Sequence, residues 1–290
     1  MTGLDLGIDW TQVDRIIEAA LAEDIGAGDV TTEATVGLDQ SGVGSIRAKK
    51  PCVVAGLPVV ARLYGKLDPA IGVEPLVREG GRAAAGTVLC RVSGPYRSLL
   101  AGERVALNFL QRTCGIATLT SRFVRAVRGT GCAVYDTRKT VPGLRTLDKY
   151  AVRAGGGTNH RMGLHDAVLL KENHIEAAGG IPRAIRRVRK AHAGMQVEVE
   201  VRNMEELVLA VEYGADVVML DNMRLPEISQ AARLVGDRVA LEVSGGVTLA
   251  SIRQLAQTGV ARISVGALTH SAPASDLSMI ILRDKSGGKR

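Results

Sequence analysis

Residues 196–246 read QVEVEVRNMEELVLAVEYGADVVMLDNMRLPEISQAARLVGDRVALEVSGG. Short β-branched runs alternate here with longer amphipathic ones. QVEVEV (196–201) precedes the helical NMEELVLAVEYG, and DVVMLD (216–221) precedes a helical stretch around Leu225–Leu234. RVALEVSGG (238–246) then precedes TLASIRQLAQTG. Glu200 and Asp221 stand 21 residues apart, and Asp221 and Glu242 another 21. Strand–helix units at that interval make a parallel sheet, because each strand returns to the same end only through a helical crossover. CAVYDT (132–137), AVLLK (167–171) and ARISVGAL (261–268) bring the set to six strands. A β/α barrel is the natural closure, with strand C-terminal ends delivering polar side chains to one face. A doubly wound open sheet is the alternative.

Upstream, Val13, Ile16, Ile17, Ala20 and Leu21 recur at helical spacing, which predicts a helix over 11–22. From 43 to 93 the texture is β-like and punctuated by glycine (SIRAKKPCVVAG, VEPLVREGG, TVLCRVSG). The last two runs resemble a lipoyl hammerhead but lack its Asp-Lys turn, so they belong to an N-terminal layer. Ser98 through Val127 reads as one or two helices, with Gly115 as the break. The organisation is therefore α/β throughout: a domain over 1–114, a β/α barrel domain over 115–270, and a segment over 271–290 that returns to the first.

The 290 residues are 46% hydrophobic but only 3% aromatic, with 34 glycines, which suits an aliphatic core with many tight turns. Lysine plus arginine exceeds aspartate plus glutamate by 37 to 30, a net charge of +7. The cations interleave with acids and few aromatics are available to stack on bases, which argues against nucleic acid. No leader-like start and no long apolar run is visible, so a cytoplasmic protein without a membrane span is expected. Cys52, Cys90, Cys114 and Cys132 lie far apart without zinc-ligand spacing, as reduced, mostly buried thiols do.

Chemistry concentrates between Asp136 and His174. Arg138, Lys139, Arg145, Lys149, Arg153, Arg161 and Lys171 crowd there with His160, His165, His174 and three glycines, 155–157. Arg138 and Lys139 follow one strand and Lys171 ends another, where a barrel presents ligand-binding groups. Such cations bind carboxylates or phosphates, arginine as a two-pronged donor and lysine as a point charge. The glycines imply close approach to a ligand or a neighbour. On the later strands, alternation turns Glu198 with Glu200, Met219 with Asp221, and Glu242 with Ser244 toward the barrel interior. Buried carboxylates there meet either the cations or a metal. Glu200 and Asp221 at strand ends suit Mg²⁺. Ser244-Gly245-Gly246 and Val265-Gly266-Ala267 close adjacent strands in small-residue turns where barrels bind phosphate, and Thr248 is a plausible helix cap. No P-loop, dinucleotide fingerprint or nucleophile elbow is present.

The run DTRKTVPGLRTLDKYAVRAGGGTNHRMGLHDAVLLKENH (136–174) resembles the central block of the quinolinate phosphoribosyltransferase family. The resemblance extends to LLAGERVALNFLQRTCGIAT (99–118), EVEV, MLDN (219–222), LEVSGG (241–246) and SVGALTHSAPASDLS (264–278). It implies an N-terminal α/β sandwich plus an incomplete, seven-stranded β/α barrel. It also implies a homodimer with shared active sites, or a hexamer. The implied reaction joins quinolinate and 5-phosphoribosyl diphosphate with Mg²⁺, releasing diphosphate and CO₂ and giving nicotinate mononucleotide for de novo NAD synthesis.

Matched residue by residue, Arg138, His160, Arg161 and Lys171, beside Thr137 and Lys139, would hold the acceptor's carboxylates. Arg104 would reach into the partner subunit's barrel. Lys139, Lys171, Glu200 and Asp221 would meet the donor, the two acids also the metal, directly or through water. Ser244, Gly245, Gly246, Val265, Gly266 and Ala267 would cradle the 5-phosphate. Arg202 and Glu172 depart from the family's usual acid and aspartate. The main rival is a molybdate-transport-associated paralogue with another acceptor. TRKT, NHR and Lys171 argue against it, because a dicarboxylate needs that many cations. A basic binding protein and another phosphate-binding barrel are the remaining alternatives.

Overall fold

The computed structural model describes residues 7–284. The first six residues of the start read as leaderless, and 285–290 of the C-terminal segment, lie outside the described residues. The chain runs α1 (Trp10–Ile25), α2 (Val30–Thr35), β1 (Ser41–Ala48), β2 (Cys52–Val53), α3 (Leu57–Leu67), β3 (Gly72–Pro75), β4 (Arg82–Ala83) and β5 (Val88–Pro95). There follow α4 (Tyr96–Ala126), β6 (Ala133–Tyr135), α5 (Arg145–Ala154), β7 (Val168–Leu170), α6 (Glu172–Ala178), α7 (Ile181–Ala191) and β8 (Val197–Val201). The rest is α8 (Met204–Glu212), β9 (Val217–Asp221), α9 (Leu225–Val235), β10 (Ala240–Ser244), α10 (Ile252–Ala256), β11 (Arg262–Ser264), α11 (Ala267–His270) and β12 (Leu277–Arg283). Contacts divide the chain into two units. One comprises Met1–Ser121, Thr140–Gly156 and Thr269–Arg290; the other Arg122–Lys139 and Gly157–Leu268.

The first unit is built on an antiparallel sheet of order β12-β1-β5-β3, with β2 and β4 paired separately. The final strand therefore comes back to β1, Ile46 opposite Met279. Asp9 caps α1 by accepting from the Thr11 and Gln12 amides, and Val13 and Ile17 on one face are buried. The stretch 57–67, passed over as β-like, is a helix because Pro58 suits its first turn and Leu57, Val59, Val60, Leu63 and Tyr64 give it a buried face. The half-buried Glu79 carboxylate accepts from the Gly56 and Leu57 amides at its start, and the Tyr150 hydroxyl donates to the same carboxylate. Burial nevertheless pushes the Glu79 carboxyl upward.

Tyr150 lies on α5, whose residues Thr146 through Val152 are all buried in this unit. Arg112 of α4 grips Asp148 of α5 through two hydrogen bonds of 2.8 Å, and Asp148 is fully buried. Gly115 does not break α4, which runs uninterrupted through it. Its role is close approach: any Cβ there would collide with the Pro273 carbonyl oxygen. Gly155 does the same, since a Cβ would lie 2.5 Å from the Ala117 carbonyl oxygen. The glycine run thus serves a protein neighbour at that position. All four cysteines are free and buried.

The second unit holds the parallel sheet, of order β6-β11-β10-β9-β8-β7. All six strands expected from the repeat are present. A seventh edge is a single parallel bridge, Thr158 to Tyr135, with the Thr158 amide donating to Val134 and the Asp136 amide to Thr158. Among the described residues no ladder joins that edge to β7, so the barrel is incomplete. The valines of β8 are buried, as are Val217, Val218 and Leu220 of β9. One expectation fails locally. The helix read from TLASIRQLAQTG begins only at Ile252, because Thr248 and Ser251 exchange hydrogen bonds in a turn ahead of it. No helix among the described residues is long and apolar enough to cross a membrane.

Candidate active site

A cavity of about 590 Å³ opens at the C-terminal ends of the parallel strands. Its wall contains Thr137, Arg138 and Lys139 after β6, His160 and Arg161 after the Thr158 edge, and Lys171 after β7. Glu200 is the last but one residue of β8, Asp221 ends β9, and Ser244 ends β10 just before Gly245-Gly246. Strand register sets this grouping, since Glu200 lies beside Met219, and Asp221 beside Ser244.

The cationic side is held by its own loops. Asp136, fully buried at the end of β6, accepts from the His160 amide at 2.8 Å and from the Asn159 side chain at 2.5 Å. The Arg161 guanidinium donates to the Ala167 carbonyl at 3.2 Å. Burial, and then the neighbouring Arg138 charge, depress the Arg161 pKa. Asp166 ties the intervening loop by accepting from the Met162 and Gly163 amides. Its burial pushes the carboxyl up, but those two bonds, its own amide and the nearby His165 together outweigh it and the net shift is downward.

The acids divide into two sets. Glu200 is paired with Lys171, and Asp221 accepts from the Asn222 amide group at 2.8 Å. Glu198 and Glu242 are buried, and both face His160. Of the two fates open to the interior acids, the structure shows contact with cations and with histidine. Asn222 is a residue sequence reasoning missed. It adopts φ +52°, donates its amide to Ser244 and sits where a Cβ on Gly245 would have to go. Its place after Asp221 in MLDN was the available signal.

Several expected residues stand elsewhere. Arg145, Lys149 and Arg153 belong to α5 in the first unit, not to the barrel cavity. Arg104 is exposed on α4, also in the first unit. Val265, Gly266 and Ala267 are not among the lining residues, although Ser264 is. The Val265 amide is spent on the Tyr135 carbonyl at 2.9 Å, and α11 after it spans only four residues. Glu172 and Arg202, the two departures, pair with each other, and Arg202 also holds Glu206.

The comparisons agree over nearly the whole chain. The quinolinate phosphoribosyl transferase N-terminal domain matches residues 29–114 and its C-terminal domain residues 116–280. A probable nicotinate-nucleotide pyrophosphorylase [carboxylating] from Synechocystis is 43% identical over 95% of this chain and 94% of its own. The probable enzyme of that name from Bacillus subtilis is 41% identical over 92% and 93%. The solved nicotinate-nucleotide pyrophosphorylase of Francisella tularensis superposes with a TM-score of 0.89 at 39% identity, covering 94% of this chain and 96% of that one. This chain belongs to the quinolinate phosphoribosyltransferase family.

Proposed function

We propose that this chain transfers the phosphoribosyl group of 5-phosphoribosyl diphosphate to quinolinate and decarboxylates the product, giving nicotinate mononucleotide, diphosphate and CO₂. It is then a carboxylating nicotinate-nucleotide diphosphorylase, a cytoplasmic enzyme of de novo NAD synthesis. The observation that carries this is one cavity whose wall brings Arg138, Lys139, Arg161 and Lys171 together with Glu200 and Asp221. The rival acceptor finds no support among the relatives.

The residues account for the steps. Arginine and lysine side chains hold a planar dicarboxylate so that its ring nitrogen faces the sugar. That nitrogen attacks C1 as the bond to diphosphate breaks, and the leaving oxygen takes the electron pair. Positive charge builds on the sugar, where the Glu200 and Asp221 carboxylates offset it. The ring, now carrying a quaternary nitrogen, accepts the electron pair of the departing CO₂. A proton then replaces the carboxyl at that carbon. No covalent nucleophile is needed. The Ser244-Gly245-Gly246 turn is the donor-phosphate subsite, by its backbone amides. With α10 and α11 only five and four residues long, helix termini add little. Val265, Gly266 and Ala267 follow β11, the strand paired beside β10, and would add to that subsite.

Glu200 and Asp221 offer hard carboxylate oxygens at adjacent strand ends, a donor set that fits Mg²⁺. When bound, the metal would supply charge neutralisation for the diphosphate. Arg104 completes the site from a partner subunit of a homodimer, whether or not dimers assemble further.

The test is one assay with purified protein, quinolinate, 5-phosphoribosyl diphosphate and Mg²⁺, following nicotinate mononucleotide and CO₂ together. Equal yields are expected, with none from nicotinic acid. Donor binding without product would move the acceptor to another heterocycle and overturn the reading.

A further inference from the structure

Behind the cavity wall at His160 lie two glutamates that the reaction above does not use. His160 Nε2 is 3.0 Å from Glu198 Oε2 and 3.6 Å from Glu242 Oε1. It sits buried between the two carboxylates. Each glutamate keeps one buried oxygen without a hydrogen-bond partner, Glu198 Oε1 and Glu242 Oε2. Ser264 donates to Glu242 at 2.5 Å. Two buried carboxylates against one imidazole need an explanation, because each uncompensated charge is costly.

A metal is the first thing such a set suggests, since the three ligand atoms lie within 4.8 Å of one another. The far side of the ring argues otherwise. His160 Nδ1 accepts a hydrogen bond of 2.8 Å from the Arg161 amide, so it carries no proton. The proton of the neutral ring is therefore on Nε2, the nitrogen that a metal would have to occupy. The same fact bears on the carboxylate-holding role that the family resemblance implies for His160. Nδ1 is engaged by a backbone donor, and Nε2 faces acids.

We infer that Glu198 and Glu242 are positioning residues, which clamp His160 as its Nε2–H tautomer so that Nδ1 fixes the Arg161 backbone and sets the guanidinium on the acceptor wall. His160 then shapes acceptor recognition through Arg161, while its own ring nitrogens stay with the protein. Asp136 holds the same loop from the other side, through the His160 amide and the Asn159 side chain. Burial, with the adjacent Glu198 charge, pushes Glu242 up to about 7, against the opposing pulls of His160, Ser264 and Arg262. A proton held on Glu242 relieves the like-charge pair and leaves Glu198 as the acceptor for Nε2–H.

This rests on quinolinate being the acceptor, and the test separates the two. With only five histidines, ¹⁵N-histidine labelling of the full-length protein resolves the ring nitrogens, and His160→Gln assigns the His160 pair. The expected spectrum shows a bare Nδ1 and a protonated Nε2, both free and with quinolinate bound. Protonation at both nitrogens, or at Nδ1 alone, overturns the inference whatever the substrate proves to be. In kinetics, Glu198→Leu should raise the quinolinate KM about 10-fold or more, the scale of a lost hydrogen bond to a charged group. The donor KM should stay within about 2-fold, and Glu198→Gln, which keeps an acceptor, should recover most of the loss. Equal changes in both KM values would show a merely structural role and sink it. Should Glu198→Leu fail to fold, the tautomer measurement decides alone. If wild type binds the donor but ignores quinolinate, the acceptor assignment falls and the tautomer result stands.

Discussion

Replacing Glu242 by glutamine removes one titrating group from the barrel interior and keeps its shape. Glu242 is fully buried on β10 and its carboxyl is raised from 4.5 to about 7, by burial first and by Glu198 second. The sign follows from proton binding. Between pH 4.5 and about 7 the unfolded chain has released this proton and the folded chain still holds it. Stability contributed by the group is thus complete below 4.5 and lost as pH rises through about 7. At about 1.4 kcal/mol per unit, the full loss is roughly 3 kcal/mol, most of it between pH 5 and 8. The glutamine variant lacks this loss. Urea unfolding of both proteins at pH 5, 6, 7 and 8 measures it, because the other titrating groups cancel in the difference. Relative to wild type, Glu242→Gln should gain roughly 2–3 kcal/mol across that range. A difference flat to within about 0.5 kcal/mol would mean that Glu242 is ionised in the fold, and the argument from burial would fail.

Arg112→Met strips the fully buried Asp148 of its two-pronged partner and should cost about 3–5 kcal/mol by urea unfolding, with Arg112→Met/Asp148→Leu recovering much of it. A single-variant cost under about 1 kcal/mol would refute the account. Gly245→Ala puts a Cβ on the Asn222 side-chain oxygen at φ +97°, so the donor KM should rise about 10-fold or more, and an unchanged value would remove the turn from the phosphate subsite. Gly115→Val drives α4 against the Pro273 carbonyl and should destabilise by more than about 2 kcal/mol, measurable as a lowered Tm. Arg104→Ala and Arg138→Ala proteins, each inactive alone, should regain about a quarter of wild-type activity when their subunits are mixed and exchanged. No recovery would exclude a site shared between subunits.

What the sequence disclosed and what it hid follow one physical line. The parallel strands were legible because alternation and spacing are local, and both survive in β8, β9 and β10. Placing Glu200, Asp221 and Ser244 at one end needed only the direction of those strands. Residues 145–154 were misleading, because a cation-rich stretch between two site segments reads as site. Their helix has Thr146 through Val152 buried in the other unit, tied by Arg112 and Glu79. Partners that far away in sequence leave no local periodicity. Gly115 failed for a related reason, since helix propensity marks a glycine as a break, whereas tertiary approach of residue 273 made it a requirement. Glu198 and Glu242 were legible as inward-facing acids, but not as partners of His160, because side-chain alternation cannot order two strands across a barrel.

The charges around the cavity carry the argument one step further. Its lining holds four obligate cations, Arg138, Lys139, Arg161 and Lys171, against the carboxylates of Glu200 and Asp221. A net charge of about +2 matches a quinolinate dianion. The donor brings further negative charge in its diphosphate and 5-phosphate, which this wall alone cannot balance. The proposed reaction therefore requires cations from outside the lining, and Mg²⁺ on the two carboxylates and Arg104 of a partner subunit are the two it names. Charge balance makes them separable: withdrawing Mg²⁺ should weaken the donor far more than quinolinate, because only the donor carries phosphates to the acid side of the cavity. Equal loss for both substrates would place the missing positive charge on the acceptor wall instead.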